Sequence, residues 1–326
     1  MRHATIIGTG RCLPEQVITN NDLASIVETS DEWITSRTGI KQRRISTGEN
    51  TSDLAYKAGL RALERAGIGA DVLDLIICAT ITPDSFMPSV ACMVQDRLGA
   101  KKAAAFDLSA ACTGLVYGMA VATSFIESGM FQTILVIGAE TLSKVMDWTD
   151  RGTCVLFGDG AGAVVLQASE QKQGIRSMHM ISDGSKQDYL SLSALPLLNP
   201  FVESGEQKIT PYISMKGQEV FKFAVRTIND LIQKVLAKAE LKEDDIKYVV
   251  AHQANYRIIE QAAKFAGIAL DKFFVNLDLY GNTSAATIGI ALDEMNEKKL
   301  LEPGDKIILV GFGGGMTSGA ILVDWT

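Results

Sequence analysis

The sequence predicts an α/β layered fold built from two similar halves. Three observations carry this expectation. Short apolar runs recur between charged or glycine-rich breaks, helical stretches lie between many of them, and segments of the first half reappear in order in the second. At 326 residues the chain is long for a single hydrophobic core, which also favours two halves.

Residues Met1 to Gly10 read as a short strand that ends in glycine. Buried parallel strands are expected at Leu75–Ala79, Ala103–Asp107, Thr133–Gly138, Ala161–Leu166, Tyr248–Ala251, Lys306–Val310 and Ala320–Val323. Each is a short run rich in β-branched residues or alanine, bounded by glycine or charge. Asp53–Ala66 repeats its apolar residues at helical spacing, with Ser52–Asp53 placed to cap it, and Glu219–Glu240 is a longer amphipathic helix. The segment 183–212, rich in Ser, Pro and Leu, breaks the pattern and reads as a surface loop or flap.

The repeat sets the organisation. Segment 62–80, "ALERAGIGADVLDLIICAT", matches 235–253, "VLAKAELKEDDIKYVVAHQ", as helix end, turn, acidic linker and buried strand. Segment 106–118, "FDLSAACTGLVYG", matches 276–289, "NLDLYGNTSAATIG", as a tight turn from a strand into a helix of small residues. "GAGAVVL" at 160–166 resembles "SGAILV" at 318–323. The expected halves are 1–173 and 174–326. A pseudo-two-fold axis between them would bring Cys112 and Asn282 to one site.

Composition narrows the function classes. The net charge of −7 gives no broad basic footprint, so general nucleic-acid binding is excluded, although small basic patches could serve an anionic ligand. The amino end lacks the apolar core of a signal peptide, and no apolar run approaches the ~18 to 20 residues that span a bilayer. A cytoplasmic location without membrane association follows. The cysteines at 12, 78, 92, 112 and 154 form no C-x-x-C pair, which argues against both a disulfide framework and a zinc site. Cys78 and Cys92 read as small buried hydrophobes on a strand and a helix face.

Cys112 is different. It lies in "SAACTGL", after a strand and at the start of a helix. Unpaired N–H groups at a helix start favour a thiolate, so its pKa is expected below the ~8.5 of a free thiol. The same N–H groups can hold an oxyanion when a thioester is attacked. His252, in "VVAHQANYRI", closes a buried strand, where α/β sheets place ligand groups. Asn282, in "YGNTSAA", taken alone is ordinary turn chemistry. As a set, the cysteine can accept an acyl group while His and Asn N–H groups stabilise an enolate, with no metal required. In "VGFGGGMTSGA", Gly313, Gly314 and Gly315 are expected to allow positive φ and to aim an N–H inward, completing an oxyanion hole with the amide of Cys112.

The motifs "DEWITSRTGI", "SAACTGLVYG", "DWTDRGTCVLFGDGAGA", "EVFKFAV", "HQANYRI", "YGNTSAA" and "GFGGG" resemble β-ketoacyl-(acyl-carrier-protein) synthase III, in family order from about residue 4 to the end. The resemblance implies a thiolase fold of five αβαβα layers and a homodimer. It implies a two-step acyltransferase reaction without a cofactor. An acyl group passes from acyl-CoA to the cysteine and is then condensed with malonyl-acyl carrier protein, with loss of carbon dioxide, in the first step of fatty-acid synthesis. Cys112 matches the nucleophile, His252 and Asn282 the decarboxylation pair, and Gly314 the second oxyanion donor. Trp33 and Arg151 match residues that sandwich the CoA adenine. Arg37 matches a CoA phosphate contact, and Asn255 lies on the pantetheine tunnel. Lys222, Arg257 and Lys264 match the basic surface that meets the acyl carrier protein.

The chain departs from the family at two positions. Met87 stands where a phenylalanine usually reaches across the dimer into the partner's acyl pocket, and Ser318 where tryptophan is common. Both changes alter bulk and imply a pocket open to primers larger than acetyl. Three rival readings remain at this stage: a related condensing or acyl-transferring enzyme of secondary metabolism, a non-catalytic partner subunit, and a protein that merely holds CoA. The intact cysteine speaks against the second, and the Asn282 context favours decarboxylative condensation over ester formation.

Overall fold

The computed structural model describes residues 2–197, 199–201 and 210–326. Nine strands make two sheets: β1 (His3–Cys12), β2 (Leu75–Ala79), β3 (Ala104–Leu108), β4 (Thr133–Glu140), β5 (Gly160–Ser169), β6 (Gly174–Ile181), β7 (Tyr248–Ala251), β8 (Lys306–Gly313) and β9 (Thr317–Asp324). The first sheet has the order β1-β5-β4-β2-β3 and the second β7-β8-β9-β6. Pairing is parallel at β2–β3, β2–β4 and β7–β8, and antiparallel at β1–β5, β4–β5, β8–β9 and β6–β9. The sheets are therefore mixed, which corrects the expectation of parallel strands throughout. A strand covered on both faces reads as the same apolar run whichever way it points.

Seven helices flank these sheets: α1 (Asp31–Thr38), α2 (Thr51–Ala66), α3 (Val90–Leu98), α4 (Gly114–Glu127), α5 (Gly217–Ala239), α6 (Tyr256–Ala266) and α7 (Thr287–Glu297). The two-residue periodicity of the strands sorts them into layers. Ile76, Cys78, Leu135, Ile137, Ala163 and Val165 turn to α2 and α3. Their neighbours Leu75, Ile77, Ile134, Val136, Val164 and Leu166 turn to α4 and α7, which also meet Leu309 and Ile321 of the second sheet. Val249, Ala251, Ile308, Val310, Ala320 and Leu322 turn to α5 and α6. The result is five layers, αβαβα, with α4 and α7 in the middle.

The second sheet repeats the directions and order of the first, with β6, β9, β8 and β7 standing where β1, β5, β4 and β2 stand. Beyond β7, the place of β3 is taken by a single parallel bridge between Val249 and Phe273. Each middle-layer helix is entered through one 3-10 turn, Ala111–Thr113 before α4 and Ser284–Ala286 before α7. Both turns open on a non-glycine residue at positive φ, Ala111 at 46° and Ser284 at 49°. Cys112 thus corresponds to Ala285, and Asn282 lies just before its turn. Close approach in this layer depends on Gly162 of β5, where a Cβ would lie 2.5 Å from the carbonyl carbon of Gly289 in α7.

Two local details differ from the expectations. α2 starts two residues before Asp53 and is capped by Asn50, which pairs with Asp53 in a capping box. Cys92 is exposed, on the side of α3 that faces the sheet's edge strand β3, where its Sγ lies 3.7 Å from Ala105 O. The segment 183–212 is described in part, as a turn at Gly184–Tyr189 and a strand pair between Leu190–Ser191 and Ser214–Met215. Its residues 198 and 202–209 lie outside the described residues.

Candidate active site

A cavity of about 290 Å³ opens at the carboxyl ends of β7 and β8 and gathers residues from both halves. Cys112, His252 and Asn282 line it, each less than a tenth exposed. Trp33, Arg37, Arg151 and Asn255 line it too, and these four are partly or fully exposed. The cavity therefore runs from a buried floor of Cys, His and Asn to a cationic, aromatic rim.

The floor is held by backbone. The N–H of His252 donates to Val310 O at 2.8 Å, continuing the β7–β8 ladder by one residue. Its ring meets Phe312 edge to face, with centroids 5.1 Å apart, and its Nδ1 lies 2.7 Å from Thr287 Oγ1. Burial pushes this imidazole down to about 3, so it is neutral near pH 7. Asn282 is tied to the loop beside it: its N–H donates to Leu156 O (2.9 Å) and its carbonyl accepts from Gly158 N–H (3.0 Å). Its side-chain Oδ1 accepts from Ser284 N–H at 2.9 Å, which leaves Nδ2 as the end available to a ligand.

Cys112 corrects one expectation. Burial pushes its thiol up to about 12, overriding the fall expected from a helix start. The residue sits inside the 3-10 turn, walled by apolar groups, and desolvation of a thiolate there outweighs the partial charge of nearby N–H groups. The resting thiol is therefore neutral. Glu140, at the end of β4, is fully buried and raised to about 7, again by desolvation. It accepts from Ile81 N–H (3.2 Å) and from the hydroxyls of Thr80 (3.2 Å) and Thr82. The hydroxyl of Ser284 stands near both Cys112 and Glu140 but makes no well-aligned hydrogen bond to either. Glu140, Ser284 and Thr287 were not singled out in the sequence. A carboxylate closing an apolar strand in "IGAETL" was the available signal for the first.

Gly313 lines the cavity, whereas Gly314 lies one residue beyond, against Ala111 and Leu190. Of the three glycines only Gly315 has positive φ, at 70°. Glycine at 313 serves close approach instead, since a Cβ there would meet Cys112 N at 2.7 Å.

At the rim, α1 is capped by Ser30, which accepts from Trp33 N–H, and helical spacing puts Trp33 and Arg37 on one face. Arg37 and Arg151 both approach the Trp33 ring, at 4.9 and 5.2 Å from its centroid. Arg151 also donates to Glu28 O at 3.0 Å. Asn255 caps α6 through Oδ1 and donates from Nδ2 to Arg37 O at 3.1 Å. Leu190 and Met215, from the strand pair at the base of the 183–212 segment, form part of the cavity wall.

Lys222 and Arg257 come together in a separate surface groove of about 730 Å³ between α5 and α6. Lys222 pairs with Glu219 at 2.9 Å, and Arg257 donates to Ser36 O at 2.7 Å. Lys264 is exposed in the last turn of α6, outside that groove. Met87 is 85 % exposed and outside the cavity of its own chain. Ser318 does not line the cavity either: it is buried in β9, with its hydroxyl on Ile181 O at 3.3 Å, so its small size does not enlarge this pocket. Among the described residues no cluster of three or more His, Cys, Asp or Glu could hold a metal ion, and no helix is long and apolar enough to cross a membrane.

Residues 106–184 match the family model described as 3-oxoacyl-(acyl-carrier-protein) synthase III, and residues 236–325 match its C-terminal counterpart. The chain belongs to the β-ketoacyl-(acyl-carrier-protein) synthase III family. It is 54 % identical to the synthase III of Clostridium acetobutylicum and 55 % identical to that of Clostridium novyi, over all of each chain. The crystal structure of the 3-oxoacyl-(acyl-carrier-protein) synthase III from Aquifex aeolicus VF5 superposes with a TM-score of 0.93 at 48 % identity, covering 99 % of this chain and 100 % of that one. These are condensing acyltransferases of thiolase-like α/β fold, the fold described above. Membership of the synthase III family favours fatty-acid condensation over the rival readings drawn from sequence.

Proposed function

We propose that this chain condenses an acyl group, taken from acyl-CoA, with malonyl-acyl carrier protein to give β-ketoacyl-acyl carrier protein, carbon dioxide and CoA. One observation carries the reading: a single cavity joins a buried Cys112–His252–Asn282 floor to a Trp33–Arg37–Arg151 rim suited to an aromatic, phosphorylated carrier. Full-length identity above half to named synthase III enzymes supports the substrate pair.

In the first step Cys112 Sγ attacks the thioester carbonyl. The carbonyl oxygen becomes an oxyanion facing the amide of Cys112, with the Gly314 amide assigned as second donor. CoA leaves as its thiol, having gained the proton that the cysteine lost. In the second step the malonyl thioester loses carbon dioxide, and the electron pair of the broken bond moves into an enolate. Neutral His252 and the Asn282 amide donate to that enolate oxygen. The enolate carbon then attacks the acyl-enzyme carbonyl, and Cys112 leaves as a thiolate that regains a proton. A neutral histidine suits this role, because it donates without first binding a proton.

Asn255 belongs to the pantetheine path. The groove holding Lys222 and Arg257 is the docking surface for acidic carrier protein, with Lys264 at its periphery. Residues 1–173 and 174–326 act as duplicated halves, the first supplying the nucleophile and the second the donor pair; the matched strand orders support this division. The working unit is a cytoplasmic homodimer that needs no cofactor, with Met87 reaching the partner's acyl pocket.

Intact-protein mass after mixing with a panel of acyl-CoAs tests the reading. Wild type should gain one acyl group, Cys112→Ser none, and malonyl-acyl carrier protein should discharge the adduct. His252→Ala and Asn282→Ala should still load but lose condensation by roughly 100- to 1,000-fold. Failure of every acyl-CoA to load, or a His252→Ala variant that cannot be acylated, would refute the assignment. The fastest-loading acyl group names the primer, and strict preference for acetyl would remove the enlarged-pocket role of Met87.

A further inference from the structure

Thr287 is the first residue of α7 and is almost wholly buried. Its hydroxyl does not turn back to the preceding turn of its own helix. Thr38 and Thr123 turn theirs back to the carbonyl four residues earlier, Ile34 O at 2.7 Å and Met119 O at 2.8 Å. Thr287 Oγ1 instead meets His252 Nδ1 at 2.7 Å, and among the described residues this is its only hydrogen bond.

Donor counting then fixes the direction. A neutral imidazole has one N–H and one lone-pair nitrogen. If Nδ1 carried the hydrogen, the threonine oxygen would accept it, and the hydroxyl hydrogen would be buried with no acceptor. That orphaned donor is unfavourable, and Nε2 would turn a lone pair toward the cavity. If the hydroxyl donates to Nδ1, both groups are satisfied and the hydrogen sits on Nε2. Asn282 faces the same cavity with its Oδ1 already occupied by Ser284 N–H, so both side chains present N–H donors to it.

We propose that Thr287 is a positioning residue that holds His252 as its Nε2–H tautomer, so that the imidazole enters the cavity as a hydrogen-bond donor. This deepens the role given above to His252 and rests on it. Donation to the enolate oxygen needs that tautomer, whereas transfer of the acyl group to Cys112 does not.

The test uses the full-length enzyme with histidine ¹⁵N labelling, the His252 signals being assigned by their loss in His252→Asn. Wild type should show Nε2 protonated and Nδ1 as hydrogen-bond acceptor. Thr287→Val, nearly the same shape, should shift the population toward Nδ1–H. Its condensation rate should fall roughly 10- to 100-fold. Acyl loading of Cys112 should stay within about twofold, which also reports an intact fold. Thr287→Ser should restore both the tautomer and most of the rate. An Nδ1–H signal in wild type overturns the proposal. So does a Thr287→Val enzyme that loses condensation without a change of tautomer, or changes tautomer without losing condensation. If His252→Asn condenses normally, it is the role of His252 that fails, and the tautomer measurement still reads the Thr287 contact on its own.

Discussion

Replacing Glu140 with glutamine should change how stability depends on pH. The native carboxyl is buried and titrates near 7, against an ordinary value of 4.5. Between those values the folded chain keeps a proton that the unfolded chain has lost. Native stability therefore falls as pH rises through that window, and the loss is complete above about 7. The separation corresponds to about 3 kcal/mol. Glutamine cannot ionise, so Glu140→Gln should escape this loss. It will carry a fixed offset, because its amide N–H₂ faces the hydroxyls and the N–H that now donate to the carboxyl group. His252 acts in the opposite sense. Held neutral down to about 3, it makes stability rise with pH between about 3 and its ordinary 6.5. Subtracting wild type from variant at each pH removes that contribution. Denaturant unfolding of both proteins at pH 5, 6, 7 and 8, at one protein concentration, measures the difference. The variant should gain about 2.5 kcal/mol on wild type between pH 5 and pH 8. A difference that is the same at pH 5 and pH 8 would refute the buried, proton-holding carboxyl.

Two further outcomes are expected. Gly162→Ala should destabilise by about 1 to 3 kcal/mol in a thermal or denaturant melt, because its methyl would press on the backbone of α7, while Gly48→Ala, with open space around it, should stay within about 1 kcal/mol. Lys222→Glu should raise KM for malonyl-acyl carrier protein roughly tenfold, with a salt dependence, and leave acyl-CoA loading unchanged; an unaltered KM would remove this lysine from the docking surface.

The strands most deeply enclosed were the most legible. Leu75–Ala79 and Tyr248–Ala251 were read end to end, because a strand covered on both faces is uniformly apolar and its neighbours in sequence are not. β6, "GIRSMHMI", was missed: it lies at the sheet edge, only partly buried, and Arg176, Ser177 and His179 interrupt its apolar run. Strand direction was illegible for a different reason, since a five-residue apolar run has no polarity of its own. Cys112 and His252 could be placed beyond strand ends from spacing and motif, whereas Asn282 follows a short helical turn, Leu277–Tyr280, where the match to 106–118 predicted a strand. Their electrostatics could not be read, because the desolvation that raises Cys112 and lowers His252 comes from walls contributed by distant segments such as Phe157 and Phe312. Thr287 was hidden because a threonine at a helix start usually serves its own backbone, and only the packing of α7 under β7 turns it toward a ring.

The middle layer decides how this molecule comes apart. α4 comes from the first half and α7 from the second, yet both fill one apolar cluster that touches both sheets. A chain severed between β5 and β6 would leave each fragment with one sheet face and one helix stripped of their covering. Neither fragment is a self-sufficient folding unit, and loss of structure should spread through both halves in one cooperative transition. Cys112, the proposed nucleophile, and His252 and Asn282, the proposed donors, sit on opposite sides of that seam. On the proposed mechanism, any stress that parts the seam ends catalysis outright, and a half-open molecule does not remain partly active.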